Sequence, residues 1–362
     1  MKKIYYITVV FATLFLVGCG DGIDLPGVNV ETDLNKIPLP DNNVNLEQVE
    51  LKPSTEPMLH EGLHTEEDFQ RIRDKKAAGE EPWVSAYQLL VESQFSQKTA
   101  DTYPTEWIKR GISGDENYMN AARGATIVYQ QALRWKIEQD DEYAAKAVEN
   151  LNKWVQTCVG VTGNTNLSLA AGLYGYEFAI AGELLRDYGG WDRADFAAFQ
   201  NWLLKVFYPA NDDFLKRHHD TNALHYWANW CLCNIAAKMA IGIVTDRRDI
   251  YNEGIAHLQT GDTNGRLRRA IYHDYAPDYN FAQWQESGRD QGHTLMCVGL
   301  MGIICQLAWS QGDDFFAYDD NLFLRACEYA ACCNYTNETV PYTTYIWQKQ
   351  SQWGYPIPEE QT

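Results

Sequence analysis

Three features of the chain predict an all-α fold, an α/α toroid in the form of an incomplete α/α barrel. Segments with apolar residues at helical spacing follow one another with short polar turns between them. Several of these segments are apolar on more than one side, which an inner layer of helices wrapped by an outer layer satisfies and a single layer does not. Strand-like alternation is scarce, and no self-similarity at a fixed period points to a solenoid of short repeats.

The chain opens with Lys2 and Lys3, an apolar stretch over residues 4–17, and Leu16, Val17 and Gly18 just ahead of Cys19. This resembles a bacterial lipoprotein signal peptide over residues 1–18. It implies lipidation at Cys19, anchoring to a membrane without spanning it, and a place in the bacterial cell envelope. Residues 19–57 (DLPGVNVETDLNKIPLPDNN and its flanks) have no sustained period and read as a tether. Residues 58–362 then form one large domain with no second linker. Within it, residues 64–97 begin with Thr65, Glu66 and Glu67, a helix start, and continue amphipathically. Residues 118–137 and 141–159 form a helix pair, and further apolar-periodic segments cover 167–187, 192–207, 221–244, 248–259, 294–311 and 321–333.

A net charge of −19 makes nucleic acid an unsuitable partner. The charge is uneven, however. Between residues 216 and 293 acids and bases balance and six of the eight histidines occur (218, 219, 225, 257, 273 and 293), so this strip can receive a polyanion. Apart from Cys19, the cysteines lie mostly in apolar helical patterns and read as small buried hydrophobes. Cys231 and Cys233 lack the second pair that a zinc site wants, and Asp313, Asp314, Asp319 and Asp320 read as solvated loop charge, so neither metal nor cofactor is expected. The chain has 12 Trp and 22 Tyr, and Trp227, Trp230 and Trp284 are candidate platforms for sugar rings. A core role for tryptophans such as Trp227, Trp230 and Trp284 is the alternative.

Two polar stretches carry the candidate chemistry. In TNALHYWANW, helical spacing would place Asn222, His225, Tyr226 and Asn229 on one face, which is costly to bury unless it lines a wet cavity or is fully hydrogen-bonded. In QWQESGRDQGH, directly before the apolar stretch LMCVGLMGIICQLAW, the same spacing would bring Glu286, Arg289 and His293 together at the mouth of a buried element. Between them, Arg268, Arg269, Tyr272, His273 and Tyr275 add cations and phenols.

These segments resemble the alginate lyase domain family of helical polysaccharide lyases. The likeness covers most of residues 58–335, through LHTEEDFQRIRDKKAAGEEPW, YQQALRWKIEQDDEYAAKAVENLNKW, NLSLAAGLYGYEFA, HYWANW, QWQESGRDQGHT and AWSQGDDFFAYDDNLF. It is nearest to the family 38 lyases of alginate or glucuronan, and more distant from family 5. The resemblance implies β-elimination on an anionic polysaccharide. Groups beside the C5 carboxylate neutralise it, a base removes H5, and an acid protonates the departing O4. Asn222 and His225 match the neutralising pair in type, although three apart instead of adjacent. His293 falls where distant relatives carry a tyrosine, so the base is either His293 or one of Tyr226, Tyr272 and Tyr275, with Arg289 near the carboxylate or enolate. The implied catalytic set is Asn222, His225, Tyr272, Arg289 and His293, with Tyr174, Tyr226, Trp227, Arg269, Trp284 and Glu286 binding substrate. The resemblance also implies a further helical segment after WQKQSQWGYPIPEEQT, so that the domain is expected to be truncated at its C-terminus. Two other readings stand beside the lyase. One is a glycoside hydrolase using two carboxylates from Asp220, Glu286 and Asp290. The other is a lipid-anchored glycan-binding protein without activity.

Overall fold

The computed structural model describes residues 57–336, 339–351 and 353–362, so the expected signal peptide, Cys19 and the tether up to residue 56 lie outside the described residues. The chain runs through α1 (Glu66–Ala77), α2 (Trp83–Glu92), β1 (Trp107–Arg110), α3 (Tyr118–Glu138), α4 (Asp141–Thr157) and β2 (Gly160–Gly163). It continues through α5 (Leu167–Leu185), α6 (Arg193–Val206), α7 (Tyr208–Arg217), α8 (Ala228–Val244) and α9 (Arg248–Thr260). A short α10 (Leu267–Ala270) leads into β3 (Ile271–Asp274) and β4 (Ala282–Trp284), followed by α11 (Gln291–Ser310), α12 (Tyr318–Tyr335), β5 (Tyr345–Trp347) and β6 (Glu359–Gln361).

The expected α/α toroid is present. Helices α3, α5, α8 and α11 pack each on the next as an inner row, with α4 outside α3, α9 outside α8 and α12 outside α11. The inner helices are the ones without a clear polar side: α5 and α8 are buried almost throughout. Close approach requires glycine at two points. A Cβ at Gly172 would lie 2.5 Å from the Cys233 sulfur, and one at Gly242 would lie 2.5 Å from the Tyr251 nitrogen. Helix α11 is long and apolar enough to cross a membrane, yet most of it is buried in this fold, and it packs against α8 and α12. The described cysteines are mostly buried, as their apolar surroundings in the sequence suggested.

Local chemistry explains where the boundaries depart from the periodicity. The stretch 64–97 splits in two because Gly79 turns with a φ of +69° and Pro82 lacks an amide hydrogen. Helix α1 itself starts with a reciprocal cap, Thr65 N–H to Asp68 Oδ2 at 3.0 Å and Asp68 N–H to Thr65 Oγ1 at 3.2 Å. Helix α7, absent from the expected elements, starts with Pro209 in its first turn. The acidic loop is not simply solvated: Asp313 accepts from the Tyr251 hydroxyl at 2.8 Å, and Asp319 pairs with Arg268.

The strands form three two-stranded sheets: β1 parallel to β2, β3 antiparallel to β4, and β5 antiparallel to β6. Strand β4 runs into the polar stretch 283–293, and Trp347 of β5 reaches the loop that carries His225.

Candidate active site

Residues 221–227 are a turn, not the helical face expected from their spacing. The Asn222 carboxamide oxygen accepts from the Leu224 N–H at 2.9 Å and its carbonyl from the His225 N–H at 3.1 Å, and α8 begins only at Ala228. Asn222 and His225 therefore sit on a loop ahead of α8, while Asn229 is buried inside its first turn. Burial, then the charge of Lys349, lowers the His225 pKa to about 4 and keeps the ring neutral. Its Nδ1 accepts from the Gln350 N–H at 2.7 Å, which places the ring proton on Nε2.

The stretch 283–293 is likewise not a continuous helix. Gln283 and Trp284 end β4, residues 285–289 turn, and Asp290 caps α11 by accepting from the His293 N–H at 2.8 Å. Glu286 and Arg289 do meet, at 3.3 Å, and the guanidinium lies 5.3 Å over the Trp227 ring. His293 turns instead to Asp290, with Nδ1 2.6 Å from Oδ2. Burial raises the Asp290 carboxyl, but the hydrogen bonds from His293 and the charge of Arg289 outweigh it and hold it below the usual range.

Two of the expected substrate contacts have other work. Glu286 is fully buried and accepts from Asn229 N at 2.9 Å and Asn229 Nδ2 at 2.5 Å, while Gln285 accepts from Ala228 N at 2.9 Å. This pair caps α8 from another part of the chain, which satisfies orphan amides and places an anion at the positive end of the helix. Trp284 is also fully buried, packed edge-on against Phe323 with its indole N–H on Ala326 O at 2.9 Å. Neither residue has surface left for a sugar. Tyr174 is buried and stacks on Tyr118, Tyr226 is buried against Phe214 and His219, and Arg269 donates to the carbonyl of Asp262.

Tyr272 lies on β3 and Tyr275 directly after it. The Tyr275 hydroxyl is committed to Gln283 at 2.5 Å and Thr343 at 3.0 Å, and that of Tyr226 engages Thr165. The half-buried Tyr272 hydroxyl has no hydrogen-bond partner among the described residues, and burial, then the neighbouring Tyr275 and Tyr342, raise its pKa. Its ring lies 4.7 Å from that of Tyr345 on β5. Two residues along the same strand face, Trp347 stacks on Trp227 at 4.2 Å and on His225 at 6.3 Å. Side chains two apart on a strand stand about 7 Å from each other. One face of β5 thus touches Tyr272 on one side and the His225 loop on the other.

A profile of the alginate lyase family matches residues 73–338. The chain belongs to the alginate lyase family. It is a polysaccharide lyase, a carbon–oxygen lyase by reaction class. Among solved structures, alginate lyase A1-III as a histidine-to-alanine variant complexed with a tetrasaccharide matches with a TM-score of 0.59 at 13% identity, over 78% of this chain and 82% of that one. Alginate lyase A1-III from Sphingomonas species A1 matches at 0.53 and 13%, over 76% and 80%. An alginate lyase from Bacteroides ovatus matches at 0.51 and 14%, over 74% and 82%. At these identities the likeness establishes a shared fold. No curated protein sequence matches the chain.

This lyase carries buried polar groups that spacing did not reveal. Arg266 lies on a loop held to the His225 turn by Asn264, whose Nδ2 donates to Leu224 O at 3.1 Å and Tyr226 O at 2.8 Å. The Arg266 Nε is buried without a hydrogen-bond partner among the described residues, which suits a site for an incoming anion. Arg110 Nη1 is in the same condition, above Tyr118 at 4.6 Å. His219 bonds Ser168 at 2.9 Å and packs edge-on to Tyr226. It sits in a run of three left-handed residues, with φ values of 49°, 52° and 60° for His218, His219 and Asp220. The arginines showed no sequence signal, because their lack of carboxylate partners exists only in three dimensions.

Proposed function

We propose that this lyase cleaves a 1,4-linked polyuronate, alginate first and glucuronan next, by β-elimination. The observation that carries the reading is the pairing of a neutral His225 and Asn222 on one loop with a Tyr272 hydroxyl uncommitted among the described residues on β3, linked by one face of β5. The His225 Nε2–H and the Asn222 amide are donors for the C5 carboxylate, and Arg266 or Arg289 supplies positive charge. With that charge offset, H5 becomes acidic enough to leave.

In the elimination the C5–H bond breaks, its electrons form the C4=C5 double bond, the C4–O4 bond breaks and O4 takes a proton. Tyr272 is the group we assign to proton transfer: in its ionised form it takes H5, and the phenol so formed, which its raised pKa keeps a donor, gives that proton to O4. His293, held by Asp290, is the second candidate base, because a proton on Nδ1 leaves the lone pair on Nε2.

The burial of Glu286 weighs against the hydrolase reading. Asp220 is paired with Arg217 and Asp290 with His293, so the three carboxylates do not form an acid and base pair across a cleft. The deciding measurement is absorbance near ~235 nm during incubation with polymannuronate, polyguluronate and glucuronan, where the conjugated uronate absorbs and a hydrolysis product does not. Tyr272→Phe is expected to lower kcat by about 10²- to 10⁴-fold with substrate binding retained. Reducing sugar released without absorbance would rule out elimination. Anchoring through Cys19 in the bacterial envelope belongs to the same proposal, and loss of lipid labelling in Cys19→Ser is its test.

A further inference from the structure

We propose that the C-terminal segment positions His225 for the reaction, the Gln350 main-chain N–H and the Trp347 indole holding its ring in the tautomer that turns Nε2–H toward the uronate carboxylate. The inference rests on the lyase reading above. The segment lies beyond residues 73–338, the part matched to the family.

Four contacts bring this segment onto the loop before α8. The Gln350 N–H donates to His225 Nδ1 at 2.7 Å, and the Trp347 Nε1–H donates to His225 O at 2.7 Å. The Gln350 side-chain oxygen accepts from Asn222 N at 2.6 Å, and Gln348 O accepts from Asn222 Nδ2 at 3.0 Å. One short stretch therefore fixes both members of the carboxylate-binding pair, leaving one Asn222 N–H and the His225 Nε2–H without a hydrogen-bond partner among the described residues.

The tautomer follows from the donor. A main-chain amide can only donate, so Nδ1 must carry the lone pair and the neutral ring carries its hydrogen on Nε2. Without that contact a neutral imidazole divides between two tautomers, and only one of them donates from Nε2. The Trp347 ring, stacked on both His225 and Trp227, removes the remaining freedom of the loop. The segment is itself anchored. Strands β5 and β6 pair, the Tyr345 hydroxyl donates to Gln285 O and accepts from Gly288 N, and Thr343 N donates to the Gln283 side chain at 2.8 Å. Neither Trp347 nor Gln350 need touch the reacting atoms, so both are positioning residues.

The test compares Gln350→Pro, which deletes the N–H, with Gln350→Ala, which keeps it, in the full chain. Imidazole nitrogen NMR near neutral pH is expected to show His225 as the single Nε2–H tautomer in the wild type and Gln350→Ala, and as a mixture in Gln350→Pro. On a polyuronate, kcat of Gln350→Pro should fall about 10- to 100-fold below that of Gln350→Ala with KM little changed. Trp347→Ala should lose kcat in the same way, and Trp347→Phe, which restores the stack, should recover part of it. These two keep the inference testable if the proline variant does not fold. A folded Gln350→Pro with one tautomer and the kcat of Gln350→Ala overturns the inference, as does full activity in Trp347→Ala. A wild type that cleaves no polyuronate, while its tautomer still responds to Gln350→Pro, overturns the lyase reading alone.

Discussion

The turns before α8 and α11 are built from similar material and solved differently. Each is a polar stretch leading into an apolar inner helix, and each has a histidine near the helix start. The turn before α11 is self-sufficient, because Asp290 caps its own helix and binds the His293 ring. The turn before α8 is not. Trp227 at its N-cap has no side-chain cap, and the first amides of α8 are served by Gln285 and Glu286 from the other turn. The first arrangement is local, whereas the second ties two distant parts of the chain into one unit and frees Asn222 and His225 from capping their own helix.

Breaking the shared cap should have the largest effect. Glu286→Ala strips an acceptor from α8 and leaves Arg289 without its buried partner, so thermal or denaturant unfolding is expected to show a loss of about 3–5 kcal/mol. A loss under about 1 kcal/mol would mean the two turns are independent. His225→Ala should act on chemistry instead, lowering kcat by about 10²- to 10³-fold, as for removal of one preorganised donor, with a melting temperature close to the wild type. Asp290→Ala removes a local cap and its bond to the His293 ring, for which about 1–2 kcal/mol is expected, and comparable losses from Asp290→Ala and Glu286→Ala would erase the distinction.

Acid should separate the turns most finely. His225 has a folded pKa near 4 against an ordinary 6.5, so the unfolded chain binds its proton first. The stability it contributes is complete above about 6.5 and is lost as pH falls through 4. Asp290 is held below its ordinary 3.8, so its contribution survives until still lower pH. Amide protection, with exchange corrected for its intrinsic slowing in acid, should therefore fall around residues 222–229 before residues 290–294 between pH 7 and 4. The reverse order would show that His225 is not held neutral by burial.

Helical periodicity carried the fold well, because an apolar stripe around an inner helix is a property of the helix alone. It misled at both turns, where asparagine, glycine and aspartate end or begin helices by hydrogen-bonding the main chain, and spacing does not register that. The residue types of the proposed site are visible at Asn222, His225, Tyr272 and Arg289. Trp284 and Glu286 were misplaced because a polar stretch beside an apolar one looks the same whether its groups face a cleft or serve a neighbouring helix. Arg266 and Arg110 were invisible for the opposite reason, since a cation without a carboxylate partner has no signature along the chain. The C-terminal segment has neither helical period nor motif, and its contact with His225 is made by the main chain.

That last contact bears on inheritance. Any residue except proline at position 350 presents the same N–H, so substitution there can proceed freely while the hydrogen bond to His225 Nδ1 persists. Relatives that share the device need share no letter at that site. A comparison of their sequences would pass over it, and a comparison of their backbones would not.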